Sequence, residues 1–154
     1  MRNILLIVAV FGLLLLVTAE TQAQCSCKKE YIDITPRAEF KLAHLVFIGK
    51  VVELKKSPAN ENGHYTETVT FEVTKAWKHD LKSTITLTNW IYGCINGYEV
   101  NLEWFVYAYQ EKNGSLTSYC CCTRTRPLDK ADEDVKEFAN DPQAKVVGPE
   151  KSNQ

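Results

Sequence analysis

Along residues 65–77 apolar and polar positions alternate: Val69, Phe71 and Val73 fall on one face, and Thr68, Thr70, Glu72 and Thr74 on the other. A period of two is that of a strand with one face buried. Residues 84–90 alternate again through Ile85 and Leu87. Residues 45–54 are β-branched and apolar, a strand in which Gly49 marks a bulge or bend. Residues 98–110, with Trp104-Phe105-Val106-Tyr107, form the most aromatic strand, and residues 116–122 form a fifth. Asn62-Gly63, Asn96-Gly97 and Asn113-Gly114 carry the turn chemistry that joins strands. Short strands at this spacing predict a mainly β domain, a small closed or partly open barrel.

The period becomes helical at both ends of this block. Residues 37–43 suit a short helix with Ala38, Phe40 and Leu42 facing inward. Leu128, Ala131, Val135 and Phe138 have helical spacing and are expected to pack on the barrel. Pro127 suits the first turn of that helix, and Asp129, Asp132 and Glu133 suit its positive N-terminal end. Residues 140–154 are polar, with Pro142, Gly148 and Pro149, and read as a disordered tail.

The first residues change the picture from fold to compartment. Arg2 precedes an apolar run over residues 4–17, followed by a polar stretch that ends in Ala23. A charged start, a short apolar middle and a small-residue exit describe a cleavable secretory signal over residues 1–23. The run is shorter than the roughly 20 apolar residues a spanning helix needs, so no membrane association is expected after cleavage. The small-residue rule puts the cut after Ala23 and leaves Gln24 first; a cut after Gln24 exposes Cys25. The remaining chain, about 130 residues, is one domain's worth, placed over residues 24–139. A secreted location, extracellular or periplasmic, follows.

All six cysteines come after the signal: Cys25, Cys27, Cys94, Cys120, Cys121 and Cys122. In an oxidising compartment an even count reads first as disulfides. The simplest framework ties Cys25-x-Cys27 to Cys94 and to one of the triplet, leaving two cysteines unassigned. A thiol or copper-handling role for the two clusters is the competing reading, although consecutive cysteines are poorly spaced around one tetrahedral ion.

Other chemistry is sparse. The formal charge is −1, which gives no basis for a nucleic-acid or anionic-membrane partner. Trp77, Trp90 and Trp104 read as core, although an OB-type barrel can line an oligonucleotide groove with such rings. His44, His64 and His79 read as scattered surface residues; Arg124 and Arg126 suit either a carboxylate partner or a solvated strand edge, the edge being preferred. Asn113-Gly114-Ser115 fits both a glycosylation sequon and a hairpin turn, the turn being preferred. No His-Glu-x-x-His, Gly-x-Ser-x-Gly or phosphate loop occurs, so the chain is not read as an enzyme, and no cofactor is implied.

Four features together resemble a known family, the tissue inhibitors of metalloproteinases, within the netrin-like domains. Cys25-Ser26-Cys27 follows the signal. Ala38-Glu39-Phe40 and then residues 43–52 resemble the family's first helix and strand. The interval from Cys25 to Cys94 is close to that of its first bridge. Tyr107-Ala108-Tyr109 followed by Cys122-Thr123-Arg124-Thr125-Arg126-Pro127-Leu128 resembles its second half. The likeness runs from Cys25 to about Phe138 and corresponds to a short single-domain form. The family's third early cysteine and its C-terminal cysteine-rich subdomain have no counterpart here.

The resemblance implies a five-stranded OB-fold-like Greek-key barrel with a disulfide-anchored N-terminus. It implies the pairs Cys25–Cys94 and Cys27–Cys122. It also implies an inhibitor of zinc metalloendopeptidases in which the amine and carbonyl of Cys25 chelate the target's zinc. Ser26, Cys27 and Lys28 would line the protease cleft, and Tyr92, Gly93, Cys94 and Ile95 would form the second edge of the wedge. The implied partner is a zinc metalloproteinase bound by a monomer. The alternative within the same fold is a non-inhibitory netrin-like module that binds other proteins.

Overall fold

The computed structural model describes residues 33–79, 82–92, 97–118 and 122–147. Helix α1 (Pro36–Leu42) leads into strands β1 (Leu45–Lys56), β2 (Tyr65–Ala76), β3 (Thr84–Ile91), β4 (Glu103–Gln110) and β5 (Leu116–Thr117). Two-residue strands β6 (Arg126–Pro127) and β7 (Lys145–Val146) flank a 3₁₀ turn (Leu128–Lys130) and helix α2 (Asp132–Phe138). The order in space is β3-β2-β1-β4-β5, with every pair antiparallel. β5 comes back against β3, so the sheet nearly closes. This is the small, nearly closed five-stranded barrel expected from the alternation, and it agrees with the OB-fold-like form that the resemblance implies.

Two packed layers explain the residue pattern. Phe47, Val51, Val69, Phe71, Leu87 and Val106 fill the barrel interior. A second cluster, with Phe40, Val46, Trp77, Phe105, Tyr107 and Phe138, lies between the barrel and the helices. The outer faces of β1 and β4 are therefore covered as well, and Trp104–Ala108 is buried at every position. That is why β4 reads as a continuous aromatic run, whereas β2 and β3 alternate with one face open. Burying a ring such as Phe138 contributes about 1.5–3 kcal/mol. Trp77 stacks on Phe105 at 5.2 Å and donates its indole N–H to the Phe138 carbonyl at 3.2 Å, pinning the end of α2.

Gly49 sits where the β1–β2 register shifts. A Cβ there would lie 3.1 Å from the Glu72 carbonyl oxygen and 3.2 Å from Phe71 Cβ, so a side chain enters the bulge only where these neighbours give by a few tenths of an ångström. Gly63 and Gly114 take φ of 76° and 85°, the left-handed geometry that the two hairpin turns require.

The structure corrects four details. Residues 98–102 do not extend β4. Asn101 adopts φ 75° and donates its N–H to the Val51 carbonyl, while Tyr98 turns inward against Trp104 at 4.4 Å. The inward face of α1 is Glu39 and Phe40, with Leu42 60% exposed. On α2 the buried residues are Asp134 and Phe138, with Val135 at the surface. Both helices turn an acid rather than an aliphatic side chain inward: Asp134 meets the Arg124 guanidinium, and Glu39 accepts from the Arg124 backbone N–H and the Tyr109 hydroxyl. Residues 140–147, expected to be a disordered tail, are held. Arg37 bonds Asp141 at 2.8 Å, and β7 pairs with the end of β2.

Candidate functional site

β3 and β5 both run antiparallel to neighbours that are themselves antiparallel to β1, so the two point the same way. Their seam is closed by Asn89, 2% exposed. Its Oδ1 accepts from Thr117 Oγ1 at 3.1 Å and from Ser118 N at 2.8 Å. Directly opposite Asn89 on β2 stands Glu67, also buried, with Lys56 Nζ 3.6 Å from its carboxylate. Burial pushes the Glu67 carboxyl above its ordinary range, and Lys56 opposes the shift in part.

Tyr92, just past the end of β3, is 66% exposed and meets His64 edge-on at 4.8 Å. The other residues implied for the protease-binding wedge, Cys25, Ser26, Cys27, Lys28, Gly93, Cys94 and Ile95, lie outside the described residues. So do Cys120 and Cys121. Cys122 is disulfide-bonded, and its partner lies outside the described residues. A cleft of about 510 Å³ joins the end of β3 to the β4–β5 hairpin, lined among others by Trp90, Tyr92, Lys112, Asn113 and Ser118.

Two residues beyond Cys122 the chain enters a buried ionic clasp. Arg124 Nε and Nη2 donate to the two oxygens of Asp134 at 2.8 and 2.9 Å. Nη2 also reaches Glu133 at 2.6 Å, and Nη1 reaches the Ile34 carbonyl at 3.0 Å. The Arg124 N–H donates to Glu39 Oε2 at 2.9 Å, whose Oε1 accepts from the Tyr109 hydroxyl at 2.7 Å. Tyr107 closes the set by donating to Asp134 Oδ1 at 2.7 Å. Desolvation raises the Glu39 carboxyl, against the donors around it. Burial, then the Asp134 carboxylate, drives the Tyr107 phenol far above its usual value. Asp134 holds Arg124 firmly charged. The clasp ties α1, β4, α2 and the segment carrying Cys122 into one rigid unit; its chemistry is positional.

Sequence reasoning missed this group. The sequence favours a solvated edge for Arg124 over a carboxylate partner, whereas Arg124 is 9% exposed and bound to the Asp134 carboxylate. The available signal was the spacing of Ala131, Asp134 and Phe138 along one helix stripe: an acid on an apolar stripe requires a buried cation. The histidines also depart from expectation, since His44 and His79 stack with centroids 4.9 Å apart. Trp77 and Trp104 are core, as read, but Trp90 is 64% exposed.

Among the described residues, no three or more His, Cys, Asp or Glu side chains converge as a metal site, and no helix is long and apolar enough to cross a membrane. No protein-family model and no curated protein matches the chain.

Proposed function

We propose that the chain is a secreted inhibitor of zinc metalloendopeptidases. The observation that carries this reading is the seam between β3 and β5. Cys94 follows β3 and the cysteine triplet follows β5, and these strands run in the same direction with their ends bonded through Asn89 and Ser118. Cys25 and Cys27 are two residues apart, a reach of about 7 Å at most. A Cys-x-Cys segment can be bridged to two separate points only if those points are neighbours, and the closeness of the two strands supports such a pair of bridges.

A terminus held by two bridges loses little entropy when it enters a cleft. A metalloproteinase zinc keeps three protein ligands and one exchangeable water. The amine and carbonyl of Cys25 displace that water and remove the nucleophile of peptide hydrolysis. The amine binds as the neutral form, accessible near neutrality because an α-amine titrates at roughly 7.7–8.0. The Arg124 clasp supports this reading by holding the chain two residues beyond Cys122.

The test compares two oxidised proteins against a His-Glu-x-x-His zinc endopeptidase, one beginning at Cys25 and one carrying an added alanine before it. Inhibition by the first and loss of at least a hundredfold in the second support the reading. Equal potency, or none in either, overturns it. Intact mass of the secreted protein establishes whether Gln24 or Cys25 comes first; a Gln24 terminus removes chelation by Cys25 and leaves the non-inhibitory module.

A further inference from the structure

We propose that Asn113, at the tip of the β4–β5 hairpin, is an acceptor for N-linked glycosylation, its side-chain nitrogen taking a lipid-linked oligosaccharide in a secretory lumen. The proposal rests on the export that the proposed function includes, and on nothing else in it. Asn113-Gly114-Ser115 is the one place in the chain where an asparagine stands two residues before a serine or threonine, and the residue between them is not proline.

The hairpin turn and the acceptor use different atoms of one amide. Asn113 Oδ1 accepts from the Ser115 N–H at 2.9 Å and from the Ser115 hydroxyl at 2.7 Å. A backbone N–H can only donate, so the atom facing it is the oxygen, and the nitrogen takes the opposite position on the amide. No hydrogen bond among the described residues engages Nδ2. The turn is closed by backbone: Glu111 N–H donates to the Ser115 carbonyl and Gly114 N–H to the Glu111 carbonyl, each at 2.9 Å. Residues 112–114 are exposed, and the space around Gly114 is open. A bulky, hydrated group on Nδ2 therefore removes no contact from the fold.

The hydroxyl at position 115 is the telling feature. In the β1–β2 connection, Asn60 Oδ1 accepts from the N–H groups of Asn62 and His64, at 2.9 and 3.0 Å, with no hydroxyl taking part. Backbone donors alone build this kind of turn, so turn geometry does not account for Ser115. Acceptor chemistry does, because it requires a hydroxyl two residues after the asparagine.

In the transfer, a bond forms between Asn113 Nδ2 and C1 of the first sugar as the bond from C1 to the lipid pyrophosphate oxygen breaks. The pyrophosphate leaves with the electron pair, Nδ2 gives up one proton to the transferase, and nothing is oxidised or reduced. The competing fate of an Asn-Gly amide is deamidation, in which the glycine nitrogen attacks the side-chain carbonyl carbon. Here the Gly114 N–H is held by the Glu111 carbonyl.

The experiment expresses the full chain with its own leader in insect cells and reads the intact mass of the protein in the medium. The wild type should carry the mass of one glycan, lost on digestion with peptide-N-glycosidase. Asn113→Asp keeps the oxygen that the turn uses and loses the nitrogen, so it should be exported with an unchanged circular dichroism spectrum and no glycan. Ser115→Ala should lose the glycan, and Ser115→Thr should keep it. Wild-type protein exported with its leader removed and no glycan overturns the proposal, as does a glycan retained by Asn113→Asp. A chain that stays in the cell with its leader attached refutes export, and with it the inhibitor reading. The same domain behind a proven heterologous leader then decides: a glycan on it supports Asn113 as the acceptor, and its absence overturns the proposal. None of these readouts involves a protease, so failure of inhibition alone leaves the test intact.

Discussion

Arg124 holds Asp134 through two parallel hydrogen bonds, 2.8 and 2.9 Å long, at a carboxylate wholly shielded from water. Planar guanidinium and carboxylate meet in their preferred bidentate geometry. Removing either partner leaves the other charge buried and uncompensated. Asp134→Ala should therefore destabilise the fold by about 3–5 kcal/mol, read as a lower urea midpoint. Replacing both at once, Arg124→Met with Asp134→Leu, should cost clearly less than the two single losses added together. A double variant as damaging as the sum would show that the two residues act independently.

Glu67 provides a pH test. Its buried carboxyl binds its proton more tightly in the folded state than in the unfolded chain. Such a group contributes most favourably below its unfolded pKa, and that contribution is lost as pH rises through the raised folded value. Glu67→Gln removes the titration. The variant should gain on the wild type as pH increases above the ordinary glutamate range. Urea unfolding of both proteins at pH 4.5 and pH 8 checks this. A stability difference that stays constant across the range would rule out Glu67 as a titrating burden.

The barrel was legible in the chain because one physical fact dominates it: each strand buries a face, so Val69, Phe71 and Val73 repeat every second residue and settle the register. Gly49 and the Asn-Gly turns were legible because they answer to sterics within a few residues. The helix faces were not. Asp134 is buried against the Arg124 guanidinium 10 residues away in sequence, and Glu39 against the Arg124 backbone N–H 85 residues away, and hydrophobic periodicity has no means of registering such pairings. The end of β4 was missed for a related reason. Tyr98 and Leu102 are apolar enough for a strand, but the Asn101–Val51 hydrogen bond draws that backbone into a turn. Trp90 looked like core because aromatic residues usually are; its exposure depends on β3 being the strand whose outer face no helix covers.

Gly49 should resist larger side chains. Its conformation is open to other residues, so the restriction is purely one of space: the Glu72 carbonyl, Phe71 and Phe47 all lie within 3.2 Å of the missing Cβ. Gly49→Ala should cost about 1–3 kcal/mol by overpacking, and Gly49→Val more. Thermal melts should show the order Gly, Ala, Val. A neutral alanine variant would mean that the β1–β2 bulge relaxes freely.

Asn89 closes the barrel with one oxygen, so its replacements separate hydrogen bonding from charge. Asn89→Ala removes the acceptor of Thr117 Oγ1 and Ser118 N and should cost about 1–3 kcal/mol. Asn89→Asp keeps an acceptor in the same place but sets a second carboxylate opposite Glu67 on β2. Two like charges across a buried pair repel, and neither ionises readily. The aspartate variant should therefore be weakened at neutral pH and recover towards the wild type as pH falls and one of the two carboxyls takes a proton. The Ser118 amide reports the seam directly: its hydrogen exchange should accelerate in Asn89→Ala at every pH and in Asn89→Asp chiefly at neutral pH. Fast exchange in both variants at all pH values would show that the amide geometry of Asn89, rather than its oxygen, holds β3 to β5.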